Sequence, residues 1–180
     1  LRQVVTREPE RVPAELDEQE RQANLALHQL RDMLFDLRPI ALETQGLAAA
    51  LQVYVERQSE TKEIKFHLDT QSFSTRFPSH VEAAVFSIVQ EAVVNAEKHA
   101  RAKNVWITLR PSGDAVAICV QDDGRGFDLA QVEEAYSQRG TLGLLNMKER
   151  AEIANAKLAI ESTPGKGTAV RLTLPFANPR

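Results

Sequence analysis

Apolar residues near the start of the chain stand at Leu16, Ala23, Leu27, Leu30, Leu34 and Leu37, in steps of seven, four, three, four and three. This a/d spacing predicts one helix over 14–37, the seam of a coiled coil or four-helix bundle. A single helix with such a stripe needs partners, which a second copy and a helix missing upstream would supply. Residues 1–13, with Pro9 and Pro13 among charges, predict a connector. Arg38-Pro39 closes the helix, because a residue before proline avoids the helical region. A second helix is expected over 40–58 with Leu47, Leu51 and Val55 on one side, its first turn weakened by Gly46. Residues 62–68 alternate as a strand with Ile64, Phe66 and Leu68 inward. Ser79 is the expected N-cap of a long helix running to His99, with Glu82 as its capping-box partner. Val81, Val85, Ile88, Ala92 and Ala96 form the arc of that helix that packs on a sheet.

Two strands over 104–110 and 115–121 follow, joined by the turn formers Pro111-Ser112-Gly113-Asp114. Residues 128–141 are polar and read as a loop with a short helical turn near 131–136, the length of a functional lid. Gly140-Thr-Leu-Gly143 opens a helix to about Asn155, and strands over 157–162 and 168–174 flank the turn Pro164-Gly-Lys-Gly167. Two hairpins on either side of a glycine-rich loop and helix predict an α+β fold. Its form is a two-layer sandwich of a mixed, mainly antiparallel sheet with helices on one face.

Composition narrows the class. The 180 residues are 43% hydrophobic and 26% charged, enough for one globular domain plus an accessory element. A net charge of −3 argues against nucleic-acid or membrane-surface binding. The single cysteine, Cys119, excludes a disulfide within the chain, fits a reducing compartment and reads as a core residue. There is no apolar run of the ~20 residues that span a bilayer, and no signal-peptide core. The expectation is a soluble, cytoplasmic fragment, starting without methionine; any membrane anchor belongs to a missing N-terminal part.

The chemistry gathers at a few places. Glu91, Asn95 and Lys98 stand at i, i+4 and i+7 and share a helix face. A carboxylate beside an amide oxygen suits Mg²⁺ that keeps its waters and shares positions with phosphates, and a lysine adds a point charge for those phosphates. The plain alternative is a solvated polar edge. Asp122 ends a strand, where its carboxylate can accept from an exocyclic amine. Gly124 and Gly126 admit a flat base, and Gly140 and Gly143 stand at a helix N-terminus able to face phosphates. Lys166 lies between Gly165 and Gly167 in a second tight turn. His28 reads as a seam-edge histidine, His67 and His80 as surface residues.

The ordered set Glu-x-x-x-Asn, Asp-x-Gly-x-Gly, Gly-x-x-Gly-Leu and Gly-x-Gly-Thr makes residues 60–176 resemble a known ATP-binding domain. It is the Bergerat-type domain shared by sensor histidine kinases, gyrase-type topoisomerases, heat-shock chaperones and mismatch-repair ATPases. The resemblance implies that Asn95 ligates Mg²⁺ and that Glu91 polarises a metal-bound water or assists proton transfer. It places Lys98 and His99 toward the phosphates, and Asp122 on the adenine amine with Gly124 and Gly126 beneath the base. Residues 128–141 become the ATP lid, Gly140 and Gly143 support the phosphates together with Thr141 and Leu144, and Thr168 closes the adenine pocket.

Leu34-Phe-Asp-Leu-Arg-Pro39, Gly46-Leu47, Ala50-Leu51 and Asn146-Met-Lys-Glu-Arg150 resemble the nitrate-sensor and thermosensor class of histidine kinases. That resemblance implies a connector over 1–13, a dimerisation-module remnant with its linking helix over 14–58, and an ATP-binding domain over 59–180. It also implies an ATP-dependent protein-histidine kinase, homodimeric at full length, with a response regulator as partner and no membrane contact by this fragment. The family's acceptor histidine precedes Asp or Glu, and no such pair occurs in this sequence; His28 precedes Gln29. The fragment alone is therefore not expected to autophosphorylate. The alternatives are an ATP-binding regulatory module without transferase activity and an anti-sigma-type serine kinase.

Overall fold

The computed structural model describes residues 39–70, 73–129 and 142–176. The chain divides into two units, Leu1–Pro39 and Ile40–Arg180. The helix expected over 14–37, the connector before it, the turn near 131–136, Gly140 and Thr141 lie outside the described residues.

Within the second unit, five strands form one sheet in the order β1-β2-β3-β5-β4. They are β1 (Lys65–Asp69), β2 (Asn104–Ser112), β3 (Ala115–Asp122), β4 (Lys157–Ser162) and β5 (Thr168–Pro175). β1 runs parallel to β2 and the remaining pairs are antiparallel, as expected of a mixed, mainly antiparallel sheet. Alternation decides the faces. Val105, Ile107 and Leu109 of β2, Val116, Ile118 and Val120 of β3, and Val170, Leu172 and Leu174 of β5 are buried together, while Trp106, Arg110, Arg171 and Thr173 are exposed.

Helix α3 (Ser79–Asn95) covers the apolar face with Val81, Val85, Ile88, Val89 and Ala92. Each Val or Ile buried in this way contributes about 1.5–3 kcal/mol, against about 1 kcal/mol for a good cap, so packing rather than capping fixes α3. The ring of Tyr54 meets the Phe86 ring edge-on at 5.8 Å and ties α2 (Leu47–Thr61) to α3. Helix α4 (Leu142–Ile153) lies beside α3, with Met147 and Ala151 buried.

Several elements depart from expectation. The helix expected over 40–58 is two helices, α1 (Ile40–Thr44) and α2, because Gly46 takes φ +89° between them. β1 starts at Lys65 rather than 62, and Phe66 and Leu68 are only half-buried because β1 is an edge strand. The capping box is displaced. The N-cap is Pro78, which has no N–H, so Glu82 reaches one residue further and accepts from the Phe77 N–H at 3.0 Å. Arg76 Nε donates to the same Glu82 oxygen at 3.0 Å, which accounts for a carboxylate only 1% exposed. Cys119 is not in the core: it alternates with buried Ile118 and Val120 and so falls, half-buried, on the open face, where Arg171 Nη1 donates to its sulfur at 3.5 Å. Burial chiefly pushes its thiol above the ordinary value, the opposite of an activated nucleophile. Among the described residues no helix is long and apolar enough to cross a membrane.

Candidate functional site

The last turn of the long helix is not α-helical. After Asn95 the chain continues as a π-helical turn, Ala96–Ala100, and leaves it at Arg101 in the left-handed region, φ 55°. A π-turn closes with i→i+5 bonds and so holds one residue more than an α-turn. This changes which side chains share the polar row. Glu91 and Asn95 still face one cavity, but His99 joins them and Lys98 does not; Lys98 is exposed. The expected i, i+4, i+7 row is corrected to Glu91, Asn95 and His99.

That cavity has a volume of about 480 Å³, within the usual ~300–1,000 Å³ of small-molecule sites. One wall is a single cross-strand row, Val120 of β3 paired with Val170 of β5, itself paired with Ile160 of β4. Met147 of α4 and Ala96 and Ala100 of the π-turn continue the apolar lining. Asp122 occupies the next inward position of β3 after Val116, Ile118 and Val120, so strand parity carries a carboxylate into an apolar pocket.

The adjacent aspartates have opposite environments. Asp122 is 6% exposed, and its carboxyl is pushed above the ordinary value chiefly by burial. The backbone N–H groups of Gly124 (2.7 Å to Oδ1) and Thr168 oppose that shift, and the neighbouring Asp123 charge adds to it. Two donors leave room on a carboxylate with about four lone-pair sites. Asp123 points away and holds the start of β2: Oδ1 accepts from the backbone N–H of Lys103 (2.8 Å) and Asn104 (2.9 Å), and Oδ2 from Asn104 Nδ2 (2.8 Å). These bonds, the Asn104 amide foremost, hold its carboxyl below the ordinary value.

The glycines divide similarly. Gly126 lines the cavity at φ 58°, and Gly143, in the first turn of α4, lines it so closely to α3 that a Cβ would strike Glu91 Oε1. Gly124 is not in the lining. It is buried under Asp122, where a Cβ would meet the Ala100 carbonyl oxygen at 2.5 Å. Leu144 and Thr168 line the cavity. Arg125 and Phe127 also line it and were not anticipated. Their signal was available, since Asp-x-Gly-x-Gly-x leaves the intervening side chains to project from the loop. The Val120–Val170–Ile160 wall had no such signal, because it needs the strand register.

The residues suit a purine nucleotide with a hard metal. The walls are apolar with one buried acceptor at an end, and the polar row lies along α3 and the π-turn, an arrangement that would admit a flat base. Among the described residues no three His, Cys, Asp or Glu side chains cluster to hold a metal. A cation there would take most of its ligands from water and phosphate, with Asn95 and Glu91 at its edge, which is the habit of Mg²⁺.

Residues 80–178 match the family described as histidine kinase-, DNA gyrase B-, and HSP90-like ATPase. An uncharacterized sensor-like histidine kinase of Chloroflexus aurantiacus is 41% identical over 98% of this chain and 30% of its own length. The signal transduction histidine-protein kinase/phosphatase DegS of Brevibacillus brevis is 34% identical over 84% of this chain and 38% of its own. The chain thus spans about a third of the length of these relatives. Among solved structures, the blue-light activated histidine kinase EL346 of Erythrobacter litoralis superposes with a TM-score of 0.59 at 23% identity, covering 72% of this chain and 41% of that one. The chain belongs to the histidine kinase-, DNA gyrase B- and HSP90-like ATPase family and carries the ATPase domain of the sensor histidine kinases.

Proposed function

We propose that this domain binds Mg-ATP in the cavity between α3, α4 and the end of β3 and directs phosphoryl transfer to a histidine on a dimerisation helix. One observation carries the reading: a single cavity brings the Glu91–Asn95–His99 row, the buried Asp122 carboxylate and Gly143 together. Bound ATP supplies the γ-phosphoryl group, which passes to an imidazole nitrogen as the bond to the ADP oxygen breaks.

The side chains have separate tasks. Asp122 accepts a hydrogen bond from an exocyclic amine, which favours adenine over guanine. Val120, Val170 and Ile160 exclude water from the base, and Gly126, whose missing Cβ lets the loop lie against the Thr163 and Gly167 carbonyls, holds the loop backbone at the edge of the cavity. Asn95 offers an amide oxygen to the metal. Glu91 orients a water or holds a proton near the transferring group, and His99 donates toward phosphate oxygens. Catalysis is then mainly positioning and charge neutralisation. The roles of Gly140 and Thr141 as phosphate supports belong to the same proposal, as do dimerisation through residues 14–37 and a response-regulator aspartate as the final acceptor.

Calorimetric titration of ATP with and without Mg²⁺, on the wild-type chain and Asn95→Ala, tests the site. Affinity that falls about tenfold on removing either Mg²⁺ or Asn95, with little further loss when both go, supports it. No binding under any condition refutes it. Transfer to an acceptor-helix protein supplied in trans then separates a kinase from a nucleotide-binding regulatory module.

A further inference from the structure

The irregular loop over 123–127 follows directly on Asp122, the last residue of β3, and brings Gly126 and Phe127 to the cavity. It is held by the β4–β5 turn. The Gly165 N–H donates to the Arg125 carbonyl at 2.6 Å. Gly167, at φ 77°, backs onto the Asp122 carbonyl so closely that a Cβ would collide with it. The Thr168 N–H reaches the Asp122 carboxylate. The remaining contact runs through Ser162, the last residue of β4, whose hydroxyl accepts from the Phe127 N–H at 2.9 Å. The same oxygen lies 3.2 Å from the Gly167 carbonyl and 3.0 Å from Thr168 Oγ1. A hydroxyl has one proton and two lone pairs. Donation from Ser162 to the Gly167 carbonyl, with acceptance from both the Phe127 amide and the Thr168 hydroxyl, satisfies all three contacts at once.

We propose that Ser162 is a positioning residue for the base end of the nucleotide pocket. It does not line the cavity, but it joins two residues that do, Phe127 and Thr168. Through them it sets where the loop stands against the Asp122 carboxylate. This role rests on the nucleotide reading of the cavity. A residue that acts at the base should weaken adenosine and ADP equally, because the phosphates are bound elsewhere in the cavity.

The test compares wild type, Ser162→Ala and Ser162→Thr by calorimetric titration with adenosine and with ADP. It adds hydrogen exchange of the Phe127 amide in the nucleotide-free proteins. Ser162→Ala is expected to weaken both ligands by the same factor, about fivefold to tenfold, the effect of one lost hydrogen bond. The Phe127 amide should exchange faster in that variant. Ser162→Thr, which keeps the hydroxyl, should return both affinities to within about twofold of wild type. An unaltered Ser162→Ala, a loss confined to ADP, or a threonine variant as weak as alanine overturns the proposal. A wild-type chain that binds neither ligand overturns the nucleotide reading and this proposal with it, whereas wild-type binding with an unaltered alanine variant overturns this proposal alone.

Discussion

Gly143→Ala separates stability from catalysis. Gly143 is in the first turn of α4 with an ordinary helical φ, so the backbone accepts alanine without strain. Replacing a helical glycine by alanine stabilises by roughly 0.5–1 kcal/mol. Against that, the new Cβ would strike Glu91 Oε1, while Asn95 Nδ2 stays at an ordinary 3.7 Å. The obstacle is the far end of a flexible side chain, and turning Glu91 out of its rotamer costs about 0.5–1.5 kcal/mol. The two effects nearly cancel. At about 2–4 °C per kcal/mol, the melting temperature should stay within about 4 °C of wild type. The role proposed for Glu91 makes the rate far more sensitive, because displacing a group that acts in the transfer by about 1 Å can cost about 10²-fold. Transfer from ATP to an acceptor-helix protein, measured beside ATP affinity and a thermal melt, should show kcat falling sharply while affinity and stability hold. A melting temperature lowered by more than about 10 °C would mean that Glu91 cannot move and that the two effects do not cancel. An unchanged kcat would remove Glu91 from the mechanism.

Other perturbations are as direct. Gly165 and Gly167 have nearly the same φ, 80° and 77°, but a Cβ on Gly165 meets nothing within 4 Å whereas one on Gly167 collides with the Asp122 backbone. Gly165→Ala should lose only the left-handed penalty of about 1–2 kcal/mol, and Gly167→Ala about 1–3 kcal/mol more, read by urea unfolding; equal losses would refute the close approach. Asp122→Asn should weaken ATP about 10- to 100-fold in a titration, since a charged acceptor is lost. It should also alter the pH dependence of stability. The Asp122 pKa is raised in the folded state, so its contribution is present below the ordinary value of 3.8 and lost as pH rises through the folded pKa. Melts of the asparagine variant without nucleotide should therefore gain on wild type as pH climbs from 3.8 toward neutrality. Asp123, whose pKa is lowered, has the reverse sign: its contribution is present above 3.8 and lost as pH falls through the folded value, so Asp123→Asn should lose stability at neutral pH.

Sequence alone determined the elements whose signals are local. Period-two alternation marked β2 and β3 within a residue or two, and the 3.6-residue arc of Val81, Val85, Ile88 and Ala92 marked the face of α3 that the sheet buries. Parity along β3 even separates Asp122 from Asp123, because the inward positions run from Val116 to Asp122 in steps of two. The glycine spacings marked positions without a Cβ but not what approaches them: Gly124 packs against Ala100, Gly126 against Thr163 and Gly167, and Gly143 against Glu91.

What the tertiary structure decided was every relation between distant segments. The wall of the cavity exists only once β3, β5 and β4 pair in one register and bring Val120, Val170 and Ile160 into a row. The exchange of Lys98 for His99 comes from a π-turn, whose one additional residue leaves no mark in an α-helical period. Glu82 missed its expected partner Ser79 because the N-cap falls one residue earlier, at Pro78, and Arg76 came from the preceding connector to share its charge. Periodicity reports which side of an element is apolar. It does not report what the polar side meets, because that is set by the free energy of packing the whole chain.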